Sequence, residues 1–232
     1  MARRQGGRTR LRLLGAAFLI ALVGGVYGWW HLHHWRPDRA VYPVQGVEAA
    51  ADDGEIDWRA VKAIGADFAY IDASASAFAR DPAFVRNLEA ARAAGLQVGA
   101  VHRYDPCQPA DRQSANFVTV VPRDAALLPP AVELDRLGDD CPMKVGDAAI
   151  ESELMTFLNQ VETHTGKPAI LKISSRFQSR YRIANALDRN LWLVRNRFVP
   201  DYAGRPWTLW TANASLANEA SEAPLHWVVV QP

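Results

Sequence analysis

A chain of 232 residues that is 49% hydrophobic and 22% charged, with two cysteines, has apolar material for one mid-sized core and a short appendage. That excludes a disordered chain, a collagen-like repeat and a small disulfide-framed toxin. The net charge of +1 conceals an asymmetry, because Arg3, Arg4, Arg8, Arg10 and Arg12 all precede the first acidic residue, Asp38, and the remainder sets 21 basic against 25 acidic side chains, which argues against nucleic acid as a partner.

The uncharged run Leu13 to Trp30 is 18 residues long, at the lower limit for crossing a bilayer core of about 30 Å. Five arginines before it and Trp29, Trp30 and Trp35 at its end read as positive-inside and aromatic-belt signals, leaving residues 1–12 as a basic cytoplasmic tail. A cleavable signal peptide opens in the same way, but Gly28-Trp29-Trp30 is bulky where a peptidase needs small residues, which favours an uncleaved anchor over residues 13–30. His31, His33 and His34 read as interfacial polar residues, since no carboxylate or cysteine is near enough in sequence to complete a metal shell. Residues 31–42 form a linker, and 43–232 an exported domain. Export places Cys107 and Cys141 in an oxidising compartment and predicts that they pair.

Beyond the linker, helix, glycine and strand recur three times. Ile56 to Ile64 leads through Gly65 into a strand at Asp67 to Ala73; Pro82 to Ala94 leads through Gly95 into Leu96 to Arg103; Ile150 to Thr165 leads through Gly166 into Ala169 to Ser174. Each glycine stands where a helix end needs a left-handed residue. Further strands are predicted at Val44 to Ala49, Pro130 to Asp135, Leu191 to Arg195, Thr208 to Thr211 and His226 to Val230. Eight strands in this order predict an α/β fold, an irregular TIM-like β/α barrel of five β/α units plus three strands, preceded by one transmembrane helix. An open doubly wound sheet is the alternative, but no GxGxxG or P-loop follows the first strand.

A barrel of this kind places its chemistry at the carboxyl ends of the strands. The polar residues there are Glu48, Asp72, His102, Asp105, Glu133, Asp135, Lys172, Ser174 and Arg195. Glu133 and Asp135 stand two apart on one strand and so share a face. Two crowded carboxyls can divide into a proton donor and a charged stabiliser, as glycoside hydrolysis requires. A salt-bridged or solvated pair is the competing reading. Tyr104 and Arg103, just past a strand end, are candidates for touching substrate, as are Asp72 and His102; a histidine satisfied inside the barrel is the alternative for His102. Trp207, Trp210 and Trp227 read as core.

Gly46-Val47-Glu48 followed by Gly54-Glu55-Ile56-Asp57-Trp58 resembles the opening of glycoside hydrolase family 25, the Chalaropsis-type lysozymes, which reads GxDxSxxQGxIDW. Matches continue in order through Asp67 to Ile71, Asp81 to Phe84, Ala94 to His102, Leu128-Pro129-Pro130, Cys141-Pro142, Glu153 to Phe157, Thr165 to Pro168, Leu191 to Leu193 and Trp207 to Trp210. The resemblance covers Val44 to Trp210. It implies cleavage of the β-1,4 bond between N-acetylmuramic acid and N-acetylglucosamine in peptidoglycan, by a monomer needing no cofactor or metal. The family's DxE on the fourth strand, whose Glu is the general acid, aligns with Glu133 and Asp135, and its opening Asp with Glu48.

All three positions keep a carboxylate, yet each differs from the family by one methylene. The family's serine and glutamine in the opening motif are Ala50 and Asp53 here, its ATEG reads Ala73-Ser74-Ala75-Ser76, and the aspartate of its terminal DxN is missing from Leu225 to Val230. Asp72 is an added carboxylate where the family usually has lysine or another residue. Two expectations follow: a membrane-anchored, exported peptidoglycan hydrolase with a rearranged acidic site (catalytic Glu133, Asp135 and Glu48), or a barrel that binds peptidoglycan or acts as a scaffold without turnover.

Overall fold

The computed structural model describes residues 5–232, with side chains from Arg12 onward; Arg3, Arg4 and the side chains of Arg8 and Arg10 lie outside the described residues. The chain divides between Trp35 and Arg36 into two compact units. The first is a single helix, α1 (Gln5–His34). Its stretch Arg12–His34, 23 residues with a mean hydropathy of 1.8, is long and apolar enough to cross a membrane, at about 34 Å against a hydrocarbon core of about 30 Å. The helix runs past the predicted end at Trp30, taking His31, His33 and His34 into its last turn, where the His33 and His34 rings lie 4.4 and 4.6 Å from those of Trp29 and Trp30. The linker therefore starts later than residue 31.

The second unit is a closed barrel. Five β/α units come first: β1 (Gln45–Ala49) with α2 (Trp58–Ala63), β2 (Phe68–Ala75) with α3 (Phe84–Ala93), β4 (Gln97–Arg103) with α4 (Ala110–Val120), β5 (Ala131–Leu134) with α5 (Asp147–Thr165), and β6 (Ile170–Ile173) with α6 (Ser175–Tyr181) and α7 (Ile183–Ala186). A short strand, β3 (Ala79–Arg80), folds back on β2 outside the barrel wall. Then come β7 (Asn190–Val194), β8 (Leu209–Leu216) and β9 (Leu225–Val230). Pairing is parallel from β1 through β2, β4, β5, β6 and β7 to β8, and antiparallel from β8 to β9 and from β9 back to β1. Eight strands thus close on themselves, as the order of elements predicts.

Local chemistry starts and stops these elements. Asp57 caps α2 by accepting from the amides of Arg59 and Ala60 at 2.9 and 3.1 Å. Gly65, Gly95 and Gly166 take φ of +104°, +80° and +69° just past α2, α3 and α5, the left-handed positions expected of them. The α4 helix carries no strong sequence signal because its buried face is partly polar, with Gln113, Ser114 and Asn116 beside Ala110 and Phe117.

Inside, the barrel is packed solid at one level and charged at the next. Phe68, Tyr70, Val101, Ala131, Ile170, Trp192, Leu209 and Val228 form one buried cluster. The large rings fit because their neighbours are small: a Cβ on Gly99 would stand 2.3 Å from Tyr70 Cε1. Two residues farther toward the mouth on the same faces, Tyr70 gives way to Asp72, Val101 to Arg103, Ala131 to Glu133, Ile170 to Lys172 and, on the antiparallel strand, Val228 to His226. The period of two along each strand therefore stacks a charged layer on an apolar floor.

Candidate active site

The charged layer opens into a cavity of about 600 Å³ bordered by Glu48, Asp52, Asp53, Asp72, Arg103, Asp105, Glu133, Asp135, Arg136, Lys172 and His226, with Tyr104 at its edge. The carboxylates predicted from sequence thus meet in one mouth, although they come from β1, β2, β5 and the segment after β5. They do not stand free.

Basic and acidic groups alternate across the floor. Asp72 pairs closely with Arg103 Nη2, and Arg103 Nε lies 3.6 Å from Glu133 Oε2. Lys172 Nζ lies 3.2 Å from Glu133 Oε1 and contacts Glu48 Oε1. The other Glu48 oxygen accepts from His226 Nδ1 at 3.1 Å. Burial by itself would push the Glu48 carboxyl upward, but the Lys172 charge and the His226 hydrogen bond outweigh it and hold the group at about 2. Burial likewise opposes the Lys172 charge, and the Glu48 and Glu133 carboxylates more than compensate, raising its pKa.

Asp72 resolves the other way. Burial and the Glu48 charge push its carboxyl up to about 7, against the lowering pull of Arg103. The close ion pair alone would suggest a depressed value. Burial wins because the Asp72 side chain is 8% exposed, whereas that of Arg103 is 50% exposed and screened by water.

Asp135 differs from all of these. It follows the last residue of β5 with a side chain 57% exposed, and its nearest cation is Arg176 Nε at 3.7 Å. Glu133, deeper in the mouth, has a side chain 26% exposed. The two carboxylates share a cavity but occupy distinct depths in it.

Two of the expected substrate contacts are packed into the barrel wall to different degrees. His102 is fully buried and points away from the mouth, because it alternates with the inward Val101 and Arg103. Its Nε2 donates to Gln113 Oε1 at 3.3 Å, its Nδ1 accepts from Ser74 Oγ at 2.8 Å, and its ring stacks 4.7 Å from Phe157. Burial lowers its pKa to about 4, so it is neutral. Tyr104 borders the mouth, yet the residue is 4% exposed and its ring packs 5.5 Å from Phe157. Arg195, at the end of β7, pairs with Asp201 at 2.7 Å and lies outside the lining, while Ser174 caps α6. Trp207, Trp210 and Trp227 are buried core residues. Lys172, which sequence reading only placed at a strand end, proves to be central, and His226, Arg136 and Asp52 join the lining without having been singled out, beside Asp53 of the opening motif.

Cys107 and Cys141 are bonded, with Cα atoms 5.4 Å apart. The bond ties the loop after β4 to the segment after β5, beside Asp105, which accepts from the Cys107 amide at 3.0 Å and is paired with Arg136 at 3.0 Å. The loops that form this side of the mouth are therefore clamped.

The model of glycosyl hydrolases family 25 matches residues 47–215. The chain belongs to that family. Among solved structures, a family 25 glycosyl hydrolase from Bacillus anthracis superposes with a TM-score of 0.77 and 26% identity, covering 87% of this chain and 94% of that one. A bacterial lysozyme from Streptomyces coelicolor superposes with a TM-score of 0.72 over 82% of this chain and 92% of its own; at 20% identity it supports the fold alone. The uncharacterized Escherichia coli protein YegX is 26% identical over 194 residues, 78% of this chain and 69% of YegX. Glu48, Glu133 and Asp135, the carboxylates that the sequence resemblance sets against the family's acids, all border one cavity.

Proposed function

We propose that this family 25 protein is a membrane-anchored hydrolase of peptidoglycan glycan strands, cleaving the β-1,4 bond between N-acetylmuramic acid and N-acetylglucosamine outside the cytoplasm. The observation that carries the reading is the pairing of Glu133, flanked by Lys172 and Arg103, with the exposed Asp135 in one mouth. Glu133, set between the Lys172 and Arg103 cations, is placed to stabilise an oxocarbenium-like centre. Asp135, at the aligned place of the family's acid, delivers its proton to the glycosidic oxygen as the bond to the anomeric carbon breaks, with the electron pair leaving on that oxygen. Water then supplies hydroxide to the anomeric carbon and returns a proton to the carboxyl group. Glu48 lies beneath as part of the acidic floor. The length of α1 and the arginines that precede its uncharged run Leu13 to Trp30 support an anchor with the barrel exported, a setting that also suits the disulfide.

One observation favours the second reading, a barrel that holds glycan without cutting it: Glu48, Asp72 and Glu133 are all engaged by basic side chains. Incubating the detergent-solubilised full chain with purified peptidoglycan separates the two. Hydrolysis releases reducing ends, and Glu133→Gln and Asp135→Asn each abolish the release. Co-sedimentation with peptidoglycan and no reducing ends would instead establish the binding module.

A further inference from the structure

Among the described residues Lys172 is the one ammonium within the acidic floor, and its setting is unusual for a lysine. The residue is 5% exposed. Its Nζ is shared between Glu48 Oε1 and Glu133 Oε1, and it rests 5.2 Å over the Trp192 ring, whose electron-rich face favours a cation. Glu133 is thereby tethered at both oxygens, one to Lys172 and the other toward Arg103 at 3.6 Å. Arg103 has a half-exposed side chain on a long flexible stem and can yield to a ligand, whereas Lys172 is fixed by packing. Without the ammonium, Glu48, Asp72 and Glu133 would converge with only Arg103 and His226 to offset them, and like charges in one buried site do not all persist.

We infer that Lys172 is a positioning residue for glycan cleavage, fixing the orientation of the Glu133 carboxylate from the buried floor of the cavity. The inference rests on the hydrolase reading above. The groups facing Lys172 are Glu48 on β1, Asp72 on β2, Glu133 on β5, His226 on β9, Arg103 on β4 and the Tyr202 hydroxyl, which donates to Ile173 O at 2.6 Å. Three of these six are carboxyls, so loss of the ammonium favours their protonated forms. The acid side of the activity profile should then move to higher pH.

The test compares the full-length wild type with Lys172→Met and Lys172→Arg, reading reducing-end release from peptidoglycan between pH 4 and 9. Lys172→Met is expected to lower kcat by about a hundredfold, the scale of an ångström of misplacement, with KM nearly unchanged. The acid limb of kcat/KM is expected to rise by about one pH unit, and Lys172→Arg to restore the limb. A purely structural lysine would lower thermal stability and leave the limb in place, and that result overturns the inference while sparing the hydrolase reading. Should Lys172→Met fail to fold, Lys172→Gln removes the charge while keeping a polar group beside Glu48 and Glu133. A raised acid limb in it supports the inference, and a wild-type limb overturns it. If the wild type itself releases no reducing ends, the hydrolase reading falls and takes this inference with it.

Discussion

Replacing Asp72 by asparagine should make the protein more stable above neutral pH, by a margin that shrinks steadily as the pH falls from 7 toward 3.8. Asp72 is buried beside Glu48, and its carboxyl is pushed from the ordinary 3.8 up to about 7. Between those values the folded chain keeps a proton that the unfolded chain has released. The contribution of Asp72 to stability therefore declines as pH rises through that window, and its full cost stands above it. At about 1.4 kcal/mol per pH unit the ceiling is about 4 kcal/mol. Asparagine also frees Arg103, but that side chain is 50% exposed and keeps Glu133 within 3.6 Å, so a gain of about 2 kcal/mol at pH 8.5 is expected after this small loss. At pH 5 the folded carboxyl is neutral and close to asparagine in shape, and the advantage of the variant should be smaller than at pH 8.5, because only the proton that the unfolded chain releases between 3.8 and 5 still counts against the wild type. The assay is urea unfolding of the full chain followed by the fluorescence of the buried Trp192, Trp210 and Trp227. It must be read as variant minus wild type, because His102, lowered to about 4, adds an opposing slope: its neutral form stabilises the fold above its ordinary 6.5, and that stability is lost as pH falls. A difference that does not change between pH 5 and 8.5, or an asparagine variant less stable at pH 8.5, would show that Asp72 holds no extra proton in the folded protein.

Two further outcomes follow from the same structure. His102→Ala removes a fully buried ring that partners Ser74 and Gln113; it should cost about 2 to 4 kcal/mol in unfolding free energy while kcat for reducing-end release stays within about twofold, since the ring lies behind the barrel wall. A larger fall in kcat in a folded variant would return His102 to the site. Changing Cys107 and Cys141 together to serine opens a loop of sequence separation 34 and should lower unfolding stability by about 3 to 4 kcal/mol. An unchanged urea midpoint would show that the bond constrains little.

What sequence alone could determine is local or periodic. Helix ends marked by Gly65, Gly95 and Gly166 follow from the left-handed backbone that glycine permits, and the short apolar runs between them follow from burial on both faces of a parallel strand. Family resemblance then ordered these pieces into a closed barrel and aligned Glu48, Glu133 and Asp135 with its acids. A period of two says that Glu133 and Asp135 share a face, but it does not say which face looks inward. That phase is set only when the sheet closes, and it sends Arg103 into the mouth while turning its neighbours His102 and Tyr104 onto Phe157. Nor can spacing along the chain reveal that Lys172 meets Glu48 across a separation of 124 residues, or that His226 meets the same carboxylate across 178. Those contacts exist because the strand order brings β1, β6 and β9 around one axis. The charges of the mouth were therefore legible one by one, and their partners, which hold the Glu48 carboxyl low and leave that of Asp72 high, belong to the tertiary structure.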